Sequence, residues 1–87
     1  MFEISLSDDA KELYRQANHV LAKKLARCFK QLEYDPNAKI KNIKKLTGKF
    51  AGTLRYRVGE WRVIYSIDFK VMKVEVHLIA HRKDAYE

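Results

Sequence analysis

The stretch Leu46–Tyr65, LTGKFAGTLRYRVGEWRVIY, reads as a β-hairpin whose strands LRYRV and WRVIY are closed by Gly59-Glu60. A Gly-X pair is what a two-residue type II′ turn favours. Such a turn sets Val58 opposite Trp61, Arg57 opposite Arg62, Tyr56 opposite Val63 and Arg55 opposite Ile64. Side chains alternate between the faces of a strand. One face therefore carries Leu54, Tyr56, Val58, Trp61, Val63 and Tyr65, and the other carries Arg55, Arg57 and Arg62 with Ile64 among them. Like charges set opposite each other weaken a sheet, so three arginines on one small face point to an anion there.

Upstream of the hairpin, Phe2, Ile4 and Leu6 alternate with Glu3 and Ser5, which predicts a short strand. Ser7 is a good N-cap, and Asp8, Asp9 and Glu12 load the next turn with the negative charge that a helix dipole favours. Ala10, Leu13, Tyr14 and Ala17 keep helical spacing, the register loosens at Asn18-His19, and Val20, Leu21, Leu25, Cys28, Phe29 and Leu32 resume it. Opposite the second series lie Lys23, Lys24, Arg27 and Lys30. The pattern predicts a helix hairpin, with one bent helix as the alternative. Asp35-Pro36 ends the second helix, because the residue before proline is pushed out of helical geometry. Residues 37–51 then read as a basic loop anchored by Ile40, Ile43, Leu46 and Phe50.

Downstream, the second hairpin strand runs to about Ile67, residues 68–72 turn, and residues 73–81, KVEVHLIAH, form a last strand. Strict alternation puts Val74, Val76, Leu78 and Ala80 on one face and Glu75, His77, Ile79 and His81 on the other. The order is β-α-α-β-β-β. This is an α+β fold in a single domain, residues 1–87, with a small antiparallel sheet and a helix hairpin packed on one face. The arginine face is expected to remain an open, shallow groove.

Composition narrows the function. With 87 residues and 47% hydrophobic content the chain supports one core. No apolar run of transmembrane length occurs. The N-terminus, MFEISLSDDA, lacks the basic-then-apolar order of a signal peptide, and the lone Cys28 cannot form an intramolecular disulfide; both fit the cytosol. Net charge is +7, and its location is informative. Eight of the 18 basic residues but only one of the 11 acids, Glu60, lie between Lys39 and Arg62, which leaves ten of each elsewhere. A concentrated positive patch attracts phosphates and steers polyanions.

The three histidines, His19, His77 and His81, have no thiolate cluster beside them, so the sequence offers no metal site and no cofactor motif. What remains is phosphodiester chemistry without metal: RNA cut by attack of its own 2′-hydroxyl on the adjacent phosphorus. That reaction needs a base, an acid and cations around the crowded phosphorus. Histidine suits proton transfer, and arginine forks onto phosphate oxygens. Arg55, Arg57, Arg62, His81, Arg82 and Tyr86 supply these groups. DNA, lacking the 2′-hydroxyl, could be bound but not cut in this way. Lys41, Lys44, Lys45 and Lys49 suit RNA backbone contacts, and His77 lines the groove.

In these features the chain resembles the RelE/ParE superfamily of toxins, and its RelE branch more closely. The resemblance rests on the N-terminal strand and helix hairpin ending in Asp35-Pro36, Leu46-Thr47-Gly48, the hairpin from Arg55 to Tyr65, and the HRKDAY ending from His81 to Tyr86. It implies the toxin of a type II toxin–antitoxin pair, a ribosome-dependent endoribonuclease that cuts mRNA in the A site. It also implies a cognate antitoxin partner, contact with ribosomal RNA and a 2′,3′-cyclic phosphate product. By position, Arg62 matches the arginine on the scissile phosphate, Arg82 the arginine closing the last strand, and Tyr86 the C-terminal tyrosine of proton transfer or stacking. Arg55 stands where some relatives place lysine; it stabilises charge but is no base, since arginine keeps its proton. Proton transfer then falls to His81 and Tyr86, with the base and acid roles open between them. The alternatives are a gyrase poison of the ParE kind and an inactive relative that only binds RNA or antitoxin.

Overall fold

The computed structural model describes residues 1–84. Strand β1 (Glu3–Leu6) leads into helices α1 (Asp8–Gln16) and α2 (His19–Tyr34). Then come β2 (Ile43–Lys45), a short 3-10 turn (Gly48–Phe50), β3 (Leu54–Val58), β4 (Trp61–Asp68) and β5 (Lys73–His81). The strands form one sheet in the order β1-β5-β4-β3-β2.

Local chemistry explains the helix pair. Ser7 Oγ accepts from the Ala10 N–H at 3.1 Å and starts α1. Asn18 is extended, and its Oδ1 accepts from the Leu21 N–H at 2.9 Å, so α2 begins with its own cap. An Asx cap of this kind competes with helix continuation, which is why the chain makes two helices rather than one bent one. Asp35 caps the end of α2 ahead of Pro36.

The hairpin has the expected register: Val58 faces Trp61, Arg57 faces Arg62, Tyr56 faces Val63 and Arg55 faces Ile64. Gly59 takes φ +60° while Glu60 keeps a negative φ, as a type II′ turn requires. Leu54, Val58, Val63 and Tyr65 are buried against Leu25, Cys28 and Leu32 of α2 and Val74 and Val76 of β5.

Four features differ from the sequence reading. The sheet is mixed, because β1 runs parallel to β5, with Glu3 beside Lys73 and Leu6 beside Val76. The basic loop contains a fifth strand, β2, whose Ile43 pairs with Tyr56, whereas Ile40 is exposed and anchors nothing. The alternation of β5 breaks at a bulge: Ile64 pairs with Leu78 but Tyr65 pairs with Val76, which leaves His77 as the extra residue. Beyond it the faces exchange, so Ile79 is 3% exposed in the core and Leu78 is 37% exposed on the opposite side. Lastly, the arginine face is not uniformly open, since Arg62 is 8% and Ile64 4% exposed.

The start of the loop that carries the basic residues is tied to the core by Tyr65. The fully buried Tyr65 donates its hydroxyl to the Pro36 carbonyl at 2.6 Å. Tyr65→Phe leaves that carbonyl unsatisfied and should cost about 1–3 kcal/mol, read as a lower urea midpoint with an unchanged slope.

Candidate RNA-binding and cleavage site

The Gly59-Glu60 turn is the point on which the candidate residues converge. Arg57 and Arg62 stand directly opposite each other beside it, with Cα atoms about 5 Å apart as in any antiparallel pair. Lys44 stands opposite Arg55 in the same way, so cations on β2, β3 and β4 share the sheet side away from the helices. Arg62 is positioned by its own turn: Nη1 donates to the Gly59 and Trp61 carbonyls, each at 3.2 Å. Arg82 is drawn to the same place. Its backbone N–H donates to the Glu60 carbonyl at 2.7 Å, and its Nε lies 2.7 Å from Glu60 Oε1.

His81 is also at this end, but on the other side of the sheet. It pairs with Trp61, and the two rings meet edge to face with centroids 5.4 Å apart. The expectation that His81 shares the arginine face is therefore corrected, and the bulge at His77 is the cause. His81 Nδ1 accepts from the Lys83 N–H at 3.2 Å. A ring bonded in this way carries its proton, when neutral, on Nε2. Arg82, one residue on, is held instead by Glu60 of the hairpin turn.

Of the remaining described candidates, none is brought to this point. His77 is held at the bulge, with Nε2 2.8 Å from Ser66 Oγ and its carbonyl accepting from Ser7 Oγ at 2.8 Å. Ser66 is four residues from Arg62 on β4, about 13 Å along the strand. Lys41, Lys44, Lys45 and Lys49 are exposed around the β2 edge, with Lys49 Nζ 5.4 Å from the Phe50 ring centroid. Tyr86 lies outside the described residues. Two contributors escaped the sequence reading: Glu60, as the carboxylate that holds Arg82, and Lys24, whose Nζ would lie 3.8 Å from a methyl group placed on Gly59. The signal for Lys24 was present in its place opposite the apolar stripe of α2.

Other groups are poorly suited to chemistry. Burial pushes the Cys28 thiol up to about 12, so it is no nucleophile at neutral pH. Burial also raises the Tyr65 and Tyr56 phenols, the latter against a lowering hydrogen bond from the Asn42 side chain. A cleft of about 680 Å³ opens between α1 and the sheet over Leu13, Leu21, Trp61 and Ile79. Asp9 and Glu12 on its rim make it a poor seat for phosphate. Among the described residues no three His, Cys, Asp or Glu side chains gather as metal ligands, and no helix is long and apolar enough to cross a membrane.

No protein-family model and no curated protein sequence matches the chain. Solved structures do. The archaeal RelE–RelB complex from Pyrococcus horikoshii OT3 gives a TM-score of 0.81 at 23% identity over 97% of this chain and 98% of that one. The RelBE2 toxin–antitoxin complex from Mycobacterium tuberculosis gives 0.75 at 26% identity over 93% and 98%. The isolated E. coli RelE toxin gives 0.76 at 14% identity over 93% and 84%. The chain has the RelE-like fold, as the hairpin and the HRKDAY ending led us to expect.

Two outcomes follow from this geometry. Cys28 keeps its proton in the folded chain up to about pH 12 but loses it near 9.0 when unfolded. The stability it contributes is complete below about pH 9 and is lost as pH rises toward about 12. Urea midpoints measured across that window should fall less steeply for Cys28→Ala than for wild type. Glu60→Gln removes an exposed ion pair worth about 0–1 kcal/mol, so thermal stability should barely change. The released Arg82 should tighten binding to a short single-stranded RNA several-fold in a low-salt titration.

Proposed function

We propose that this protein is the toxin of a type II toxin–antitoxin pair, acting in the cytosol as a ribosome-dependent endoribonuclease that cleaves mRNA in the A site. The observation that carries the reading is the convergence of Arg57, Arg62, Arg82 and His81 on the Gly59-Glu60 turn of a RelE-like fold. The structural neighbours are toxin–antitoxin complexes or toxins, which supports a cognate antitoxin as the physiological partner.

The reaction uses the substrate's own nucleophile and no metal. The 2′-hydroxyl loses its proton to a base as its oxygen bonds to phosphorus. The bond from phosphorus to the 5′-oxygen breaks, and that oxygen takes a proton from an acid. The products are a 2′,3′-cyclic phosphate and a 5′-hydroxyl. Arg62, held by the turn carbonyls, contacts the scissile phosphate, with Arg82 and Arg55 adding charge stabilisation as negative charge grows on the phosphoryl oxygens. His81, whose Nδ1 accepts from the Lys83 N–H, serves in proton transfer, with the base and acid roles open between it and Tyr86. Tyr86 is its partner in proton transfer. Arg57, Lys41, Lys44, Lys45, Lys49 and His77 contact message and ribosomal RNA. The ribosome supplies the remaining requirement, a fixed orientation of the message.

Mapping of cleavage ends on translated mRNA tests the proposal. Wild type should leave cyclic-phosphate ends within the A-site codon and keep doing so in excess chelator, to the extent that ribosomes stay intact. Arg62→Ala and His81→Ala should each slow single-turnover cleavage by about 10²–10³-fold. Intact message with folded protein on programmed ribosomes would overturn the reading. Trapped gyrase–DNA complexes that His81→Ala leaves unchanged would replace it with the poison.

A further inference from the structure

Helix α2 carries a second cationic surface that the candidate cleavage site does not use. Between Asn18 and Gln31 it has no acid, while Lys23, Lys24, Arg27 and Lys30 are all exposed. At about 100° per residue, Lys23, Arg27 and Lys30 fall within an arc of about 60° and span about 10 Å along the axis. Leu25, Cys28 and Leu32 point the opposite way, into the core. Among the described residues no carboxylate lies within ion-pair distance of these four cations.

The stripe leads into a cleft. Lys24 and Arg27 of α2 meet Asn42, Tyr56, Arg57 and Gly59 around a space of about 210 Å³, with Cys28 behind them. Small-molecule pockets run about 300–1,000 Å³, so this one suits a phosphate-sized group. Its chemistry suits one as well: cationic side chains, an amide that donates, and a phenol that burial keeps protonated. Lys24 brings the stripe to Gly59, the residue whose carbonyl holds Arg62. The two basic surfaces are therefore joined through one turn and through Arg57, which lines the cleft.

We infer that the α2 stripe and this cleft bind the phosphodiester backbone of RNA, independently of sequence, as a second contact surface that sets the protein's orientation. The inference deepens the proposed RNA function and rests on that reading. A single strand or a helical segment could supply the phosphates, so both are used as probes. The stripe makes no provision for reading bases, and its contribution is electrostatic.

The test measures affinity of the full chain for a short unstructured RNA and for a short RNA hairpin across a range of KCl. Each phosphate contact contributes about 0.7 to the logarithmic salt slope on single strands and about 0.9 on duplex. The triple variant Lys23→Gln, Arg27→Gln, Lys30→Gln should lower the slope by about two on the RNA that occupies the stripe. Lys24→Gln alone should lower it by about one through the cleft. A control with equal charge loss, Lys11→Gln, Lys70→Gln, Lys73→Gln, should keep the wild-type slope, and circular dichroism confirms that each variant is folded. Equal slopes for wild type and the triple variant, or an equal fall in the control, would overturn the inference. If the slopes change as expected but wild type cuts no message on ribosomes, only the proposed cleavage fails. If cleavage holds and the slopes do not change, only this inference fails.

Discussion

The register of one two-residue turn constrains the rest of the molecule. Gly59 at φ +60° closes β3 onto β4 and makes Arg57 the direct neighbour of Arg62. A like-charged pair in that position costs on the order of 0.2–1 kcal/mol. The opposite face of the same ribbon buries Val58, Val63 and Tyr65, each contributing about 1.5–3 kcal/mol. A slip of one residue would separate the arginines but send every one of those side chains to the wrong face. The apolar face thus holds the charged face in an arrangement it would not adopt by itself. Arg62 answers locally by folding back on the Gly59 and Trp61 carbonyls.

Glu60 gives the turn its second task. It is the one acid in the basic stretch, and it does not neutralise Arg62 or Arg57 but reaches to Arg82 at the end of β5. An exposed pair of this kind adds little stability. Its consequence is positional, because it couples the end of the last strand to the tip of the hairpin. The backbone bond from the Arg82 N–H to the Glu60 carbonyl reinforces the same link. Trp61 and His81 complete the junction on the helix side. The candidate site is thus assembled from two strand ends rather than from one strand face.

What the sequence made legible, and what it hid, follows from the range of each interaction. The helix hairpin, its Ser7 cap, its end at Asp35-Pro36 and the whole hairpin register depend on neighbours a few residues apart, so pattern alone revealed them. The parallel partnership of β1 with β5 joins residues some 70 positions apart, and only the three-dimensional path creates it. The bulge at His77 is harder still. Alternation reads KVEVHLIAH without interruption, yet the break is fixed by Ser66 on the next strand and by Ser7 at the start of α1. One extra residue moved His81 across the sheet and Ile79 into the core. The face of Arg62 was legible because it is set upstream of the bulge, and that of His81 was misread because it is set downstream.

Charge counting hid the surface of α2 for a related reason. Outside residues 39–62 basic and acidic residues are equal in number, so that remainder looks electrically silent. Equal counts say nothing about where the charges point. Among the described residues of that remainder the acids lie on β1, on α1, at the C-terminal end of α2 (Glu33, Asp35), on β4 and β5 and after β5, while α2 from Asn18 to Gln31 holds four exposed cations and no acid. Screening makes position decisive, since at physiological ionic strength a charge is felt over only about 8 Å. Carboxylates at the far end of the sheet therefore cannot cancel Lys23 and Arg27, and Glu33, one helical turn from Lys30, forms no ion pair with it. Lys24 beside Gly59 is, by the same measure, near enough to act with the arginines of the turn.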